Sequence, residues 1–396
     1  MPARRRLPAA ITVAALAAGT LAGCGSGHPV SGTALAQSDA SRAPASAPAP
    51  SPTAVPSSTP RSAQPSSCDS VLASMDVRAR VAQLVVPGVD AGDPAAVTKL
   101  VRQQQVGGFF VGGNNTTLLQ NHALDAVQRA AKIPVAVSVD EEGGRVQRID
   151  DLDGSMPSAR ELAKTKTPDE VRALGEQRGE QLAARGITVD FAPDTDVSDE
   201  PDDAVIGDRS YSDDPATVRT YALAFADGLR AAGITPVLKH FPGHGHGSGD
   251  SHEGTVTTPP LTQLRQADLK PYENIADYGP VEVMVGHLDV PGLTDGVPAS
   301  LSPAAYQLLR GDYHFTGPII TDDLGGMKAI TDQYPLPEAV LKALQAGADQ
   351  ALFSSGNGDV GAVLDRLVTA VSSGELPADQ VAASVKRLLI AKHVCH

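Results

Sequence analysis

Eight short apolar runs recur along the chain, at 81–86, 108–111, 134–139, 188–191, 235–238, 281–285, 318–320 and 348–353, with helix-like stretches between them. Alternation of this kind predicts parallel strands joined by helical crossovers. Residues 167–185 carry Val171, Leu174 and Leu182 among charged neighbours, the spacing of an amphipathic helix, and 302–309 and 337–346 read the same way. Polar residues are placed unevenly against this background: Asp140, Asp194, His240, His287, Asp322 and Ser354 each follow closely on an apolar run. In an eight-stranded barrel the strand C-termini and the loops after them build the active face. A doubly wound open sheet also binds ligands at its strand C-termini. The count of eight units favours an α/β fold made of a single (β/α)8 TIM-type barrel. No Gly-x-Gly-x-x-Gly follows the first run and no Walker loop is present, which disfavours nucleotide-binding readings.

The N-terminal region reads differently. Arg4, Arg5 and Arg6 precede an apolar run over 9–21, the layout of a secretory signal, and the run is too short for a typical membrane span. Leu21-Ala22-Gly23-Cys24 resembles the lipobox of bacterial lipoproteins, so a signal peptide is expected over 1–23 and lipidation on Cys24. The alternative is an ordinary signal peptide that contains a cysteine. Residues 24–67 are dominated by Ala, Ser, Pro and Thr, with little to bury, and read as a disordered tether holding the domain off a membrane. The expected location is therefore the cell envelope, exported and lipid-anchored.

Residues 68–396 form the expected folded domain, of a size that suits one barrel. Once Cys24 is assigned to lipid, Cys68 and Cys395 remain, one near each end. An oxidising compartment permits a disulfide between them. Closing so long a loop would stabilise by roughly 4 to 5 kcal/mol in the chain-entropy model; two free thiols are the other possibility. The formal net charge is -14, and without the three signal arginines 29 basic residues face 46 acidic ones. Non-specific nucleic-acid binding is disfavoured at that balance.

Three motifs carry chemistry. Residues 239–252, KHFPGHGHGSGDSH, start where a strand should end and continue as a glycine-rich loop able to open and close over a pocket. Asp250 is near enough to His252 in sequence to orient its imidazole for proton transfer near neutral pH. Four histidines with Asp250 also admit a metal-site reading, although glycine-rich spacing does not preorganise a coordination sphere. Residues 319–324, IITDDL, deliver two carboxylates to a strand end, where one could attack an anomeric carbon. A helix N-cap is the ordinary role for such an Asp, and Asp323 is the candidate for it. Residues 140–148, DEEGGRVQR, combine carboxylates and guanidinium groups suited to charge-assisted hydrogen bonds with sugar hydroxyl or acetamido groups, or simply to salt-bridged loop structure.

Together with 206–211 and 298–303, these motifs resemble the bacterial β-N-acetylglucosaminidases of glycoside hydrolase family 3, over nearly the whole region after Cys68. The resemblance implies a (β/α)8 barrel that removes terminal N-acetylglucosamine from wall fragments or muropeptides, with no metal or other cofactor. It assigns nucleophilic attack to Asp322, proton transfer to His252 and tuning of that histidine to Asp250. Sugar binding falls to Asp140, Arg148, Arg209, Lys239 and His240, with Arg145 as a binding or bracing residue. Leu324-Gly325-Gly326-Met327 has one residue more than the family pattern, which changes the local loop and leaves Asp322 aligned. A histidine acid/base in its neutral form does not repel an anion, so phosphate is a conceivable substitute for water. Three functions follow: a retaining exo-hydrolase, a phosphorylase, and a wall-binding lipoprotein without turnover, against which the intact Asp322, Asp250 and His252 set argues. The absence of Trp leaves few stacking platforms and favours short substrates.

Overall fold

The computed structural model of the chain describes residues 67–354 and 360–396. The signal peptide read over 1–23, the lipidation site Cys24 and the tether up to residue 66 lie outside the described residues.

Eight parallel strands form the centre: β1 (Val85–Val89), β2 (Gly108–Val111), β3 (Ala136–Val139), β4 (Val189–Asp190), β5 (Thr235–Phe241), β6 (Glu282–Val285), β7 (Ile319–Thr321) and β8 (Ala351–Phe353). Their order around the sheet is β8-β1-β2-β3-β4-β5-β6-β7. The circle is completed by a parallel bridge between Ile320 and Gln350, with Thr321 N–H donating to the Gln350 carbonyl at 3.1 Å. This is a nearly closed (β/α)8 barrel, with each strand backed by the helices that follow it.

Both strand faces are buried, which explains why the runs read as continuously apolar rather than alternating. Val86, Val189, Phe191, Val237, Met284, Ile320 and Leu352 fill the barrel interior as one cluster. Their strand neighbours, such as Val283 and Val285 beside Met284, point outward into the larger core beneath the helices. The helix Pro168–Ala184 starts with a capping box in which Thr167 and Glu170 satisfy each other's backbone N–H groups. It packs on Pro215–Ala231 through Gly175, Gly179 and Gly228, and a Cβ at Gly228 would strike the Arg172 carbonyl.

The first apolar run, 81–86, is corrected by the structure. Val81 and Ala82 end the helix Val77–Ala82, capped by Asp76, and the strand begins only at Val85. A continuous apolar run has no period with which to separate a buried helix end from a strand start. The helix expected over 302–309 is also split, into Pro303–Gln307 and a wider turn over Leu308–Asp312.

A disulfide joins Cys68 to Cys395. Beside it the helix Cys68–Ala73 rests on the C-terminal helix Ala378–Ala391. Lys392 then turns under the barrel and donates to the Gly107 carbonyl and to Gln83, both of which precede strands, so the tail closes the end opposite the strand C-termini. No helix among the described residues is long and apolar enough to cross a membrane.

Candidate active site

A cavity of about 300 Å³ opens at the strand C-termini. Asp140, Arg148, Arg209, Lys239, His240, Asp250, His252 and Asp322 all line it, so the structure gathers every residue assigned from sequence to catalysis or sugar binding. They come from the ends of β3, β5 and β7 and from the loops after β3, β4 and β5, and only the barrel's closure makes them neighbours.

One wall is an alternating chain of charge. Lys239, fully buried at the end of β5, places its Nζ 2.7 Å from Asp140 and 2.5 Å from Glu142. Arg209 holds Glu142 through two bonds of 2.8 Å each. Arg148 lies 3.5 Å from Asp140. Burial opposes charge on both Glu142 and Lys239. At Glu142 the Arg209 and Lys239 charges outweigh it and hold the carboxyl well below its usual range; at Lys239 the Asp140 and Glu142 charges outweigh both burial and the Arg209 charge and hold the ammonium above its own. Such a network presents fixed donors and acceptors to a sugar without rearranging.

The turn carrying Asp140 is shaped by two further features. Glu141 turns inward and its Oε2 accepts from the N–H groups of Arg148 and Ile149, tying the motif's ends together. Gly143 has φ of 96°, and a Cβ there would collide with the Pro157 carbonyl. Arg145 points away from the cavity and fastens the 202–208 loop through Asp208 and the carbonyls of Asp202, Ala204, Val205 and Ile206. It is a brace.

Lys239 and His240 are consecutive and both line the cavity, with a cis peptide between them. His240 Nδ1 sits 2.7 Å from Asp196, whose other oxygen accepts from the His244 N–H at 2.6 Å and from the His240 N–H at 3.3 Å. Burial pushes the Asp196 carboxyl up, but the His240 charge and these bonds outweigh it and bring it down to about 2. Neighbouring Asp194 goes the other way: burial and the Asp196 charge raise its carboxyl well above the usual range.

Asp322 follows β7 and is 7% exposed. Burial alone would raise its carboxyl. His240, His287, the Asp323 N–H and Lys239 more than compensate, holding it below the ordinary value and therefore ionised at neutral pH. Across the cavity, His252 Nδ1 is 2.7 Å from Asp250 Oδ1, which also accepts the His252 N–H at 2.9 Å. That leaves Nε2 for a substrate. The His252 side chain is 63% exposed, so the loop presents it at the rim. Ser251 ties the loop to the segment after β7: its hydroxyl reaches Met327 Sδ and its carbonyl accepts from Ala329 N–H. The floor is apolar, from Phe110 stacked on Phe191 at 5.4 Å, with Met284 and Leu352.

The histidines do not converge on a metal. His240 pairs with Asp196, His246 with Asp268 and His252 with Asp250, three separate carboxylates. Among the described residues, Asp194, Asp196 and His240 do bring ligand-type atoms within 4.8 Å of one another. Arg209 stands 3.6 Å from Asp194, however, and the Asp196 oxygens are taken up by His240 and two amides, a poor setting for a cation. Glu142, Asp196, His244 and His287 escaped the residue-by-residue assignment. For Asp196 the available signal was its position two residues after Asp194, past a strand end.

Three comparisons bear on this arrangement. Residues 76–391 match the glycosyl hydrolase family 3 N terminal domain. The chain is 53% identical over 338 residues to the beta-hexosaminidase LpqI of Mycobacterium tuberculosis, covering 83% of this chain and 85% of that one. The solved structure of M. tuberculosis LpqI superposes with a TM-score of 0.80 at 51% identity, over 83% of this chain and 97% of that one. A family 3 beta-N-acetylglucosaminidase from Paenibacillus superposes with a TM-score of 0.76 at 30% identity, over 81% of this chain and 63% of that one.

Proposed function

The chain belongs to glycosyl hydrolase family 3, and from that membership we propose that it is a retaining exo-β-N-acetylglucosaminidase acting on fragments of peptidoglycan. It is a glycoside hydrolase acting on N-acetylglucosamine-containing substrates. The retaining chemistry is inferred from the site, and the wall origin of the substrate from the family resemblance of the sequence motifs. The observation that carries the reading is a buried, ionised Asp322 sharing one small cavity with the Asp250–His252 pair. A cavity of about 300 Å³ suits one terminal sugar.

In the proposed first step an Asp322 oxygen attacks the anomeric carbon while the glycosidic C–O bond breaks, and His252 Nε2–H gives its proton to the leaving oxygen. A covalent glycosyl-enzyme results. In the second step neutral His252 removes a proton from water, the water oxygen bonds to the anomeric carbon, and the bond to Asp322 breaks. Asp250 fixes the imidazole tautomer and stabilises its cationic form. Lys239, Arg148, Arg209, His240 and Asp140 hold the sugar hydroxyl and acetamido groups in the reactive orientation. Export, lipidation at Cys24 and tethering of the barrel at the cell envelope complete the proposal, supported by the lipobox-like stretch ending in Cys24.

The deciding experiment measures chromophore release from an aryl β-N-acetylglucosaminide in phosphate and in phosphate-free buffer. Wild type should hydrolyse in both, Asp322→Ala should lose at least about a thousandfold in kcat, and His252→Ala should recover with an activated leaving group. Release of the sugar 1-phosphate only when phosphate is present would replace hydrolysis by phosphorolysis. A folded wild type that binds the sugar without turning it over would overturn the enzymatic reading.

A further inference from the structure

Asp323 directly follows Asp322, and three strand ends converge on it. Its N–H donates to Asp322 Oδ1 at 2.8 Å, so the direction of that carboxylate depends on where the Asp323 backbone lies. From the end of β6, His287 Nε2 stands 3.0 Å from the Asp323 carbonyl oxygen, and His287 Nδ1 stands 2.7 Å from Ser300 Oγ. The carbonyl requires Nε2 to carry the proton, which leaves Nδ1 to accept from the Ser300 hydroxyl. Within the loop, the N–H groups of Gly325 and Gly326 donate to Asp323 Oδ1 at 2.8 and 3.0 Å. From the end of β8, Ser354 N–H donates to the same oxygen at 2.8 Å and the Ser354 hydroxyl donates to Oδ2.

This pattern differs from a helix N-cap, the ordinary role for an Asp here. The next helix begins only at Lys328, with Met327 at its cap position, so the Asp323 carboxylate serves the loop and the neighbouring strand end instead. The extra residue in Leu324-Gly325-Gly326-Met327 takes its meaning from the same contacts. A Cβ on Gly326 would stand 2.5 Å from Asp323 Oδ2 and 2.7 Å from Ser354 Oγ, so a side chain there would push these two groups out of their pairing.

We infer that Asp323 is a positioning residue for the reaction, a clip that joins the ends of β6, β7 and β8 and fixes the angle at which the Asp322 carboxylate meets the sugar. The inference rests on Asp322 being the nucleophile. Asp323 acts through hydrogen bonds rather than through charge. Its carboxylate spends its acceptor capacity on three amides and one hydroxyl, and only its backbone touches Asp322.

Steady-state kinetics with p-nitrophenyl and 2,4-dinitrophenyl β-N-acetylglucosaminides test it on Asp323→Ala, Asp323→Asn and Gly326→Ala, with Asp322→Ala and His252→Ala alongside. Asp323→Ala should lower kcat about a hundredfold, the scale of an ångström-sized misplacement, with KM little changed. The loss should be equal for both leaving groups, because attack rather than proton donation is impaired. Asp323→Asn should recover to within about tenfold of wild type, since the amide can accept the same three N–H groups and donate to Ser354. Gly326→Ala should move kcat in the same direction as Asp323→Ala. Wild-type kcat in Asp323→Ala, a change confined to KM, or an Asp323→Asn as impaired as the alanine variant would each overturn the clip. Should Asp323→Ala fail to fold, the exposed Gly326→Ala decides alone, and wild-type turnover there refutes the inference. If Asp322→Ala itself stays active, the nucleophile assignment falls with the clip built upon it, a result separate from loss in Asp322→Ala with an indifferent Asp323.

Discussion

Asp196 accepts from the His240 ring and from the N–H groups of His240 and His244, so a single buried carboxylate orients one side of the cavity. Its folded-state carboxyl lies at about 2, against an ordinary 3.8. A depressed carboxylate stabilises the fold above its unfolded value, and that contribution disappears as pH falls through the folded one. The thermal stability of the wild type should therefore fall as pH drops from the higher to the lower of those two values, and Asp196→Asn should flatten that part of the pH profile. The same variant should cost about 2 kcal/mol at neutral pH through weakened charged hydrogen bonds. It should also lower kcat/KM by about tenfold as His240 loses its anchor, roughly the effect of 1.4 kcal/mol on transition-state binding. An unchanged kcat/KM would show that His240 is held by its packing alone. His252 and Asp250 were legible from their spacing, because two residues apart is close enough for a side-chain bond in a turn. Asp196 and Glu142 were not, because their partners lie 44 and 67 residues away.

Among the strands, β6 has both its chemical ends in view. Its last residues lead to His287 and the active mouth, whereas Glu282 opens it at the other end, on the inward face with Met284. Burial lifts the Glu282 carboxyl to about 7, partly offset by Lys392, and burial lowers the Lys392 ammonium to about 8. A raised carboxyl favours the folded state below its unfolded pKa, and the advantage is lost as pH climbs through the folded value. Glu282→Gln should accordingly be nearly neutral in stability near pH 4.5 and more stable than wild type near pH 8, by at least about 2–4 °C in Tm. A variant less stable than wild type at pH 8 would mean that attraction to Lys392 exceeds the burial penalty. Strand existence was legible from the apolar runs, but the boundaries were not. Val81 joined a helix, while β5 ran on through Lys239 and His240 to Phe241, because polar side chains at a barrel mouth can face the cavity while their backbone continues the ladder.

At the scale of the molecule, the Cys68–Cys395 disulfide closes a span of 327 residues and fastens the first of the described helices to the last. Cys395→Ser should lower unfolding free energy by up to about 5 kcal/mol in the chain-entropy model while leaving kcat unchanged, since the bond sits near the barrel end opposite the cavity. Denaturant melts of the oxidised wild type and the variant, paired with turnover, would show this, and a coincident loss of activity would tie the two ends of the barrel together. By itself the sequence determined the eight-unit barrel and the placing of polar groups at the strand C-termini, and it singled out Asp322, Asp250 and His252 as the candidate catalytic residues. Those properties are carried by local features, namely apolar runs, glycine-rich spacing and short motifs. Only the tertiary structure decided which charges pair across the cavity, that Arg145 braces a loop, that His240 and His246 pair with separate carboxylates, and that Asp323 clips three strand ends. Those properties belong to contacts between residues far apart in sequence, whose distances are set when the parallel strands close into a ring.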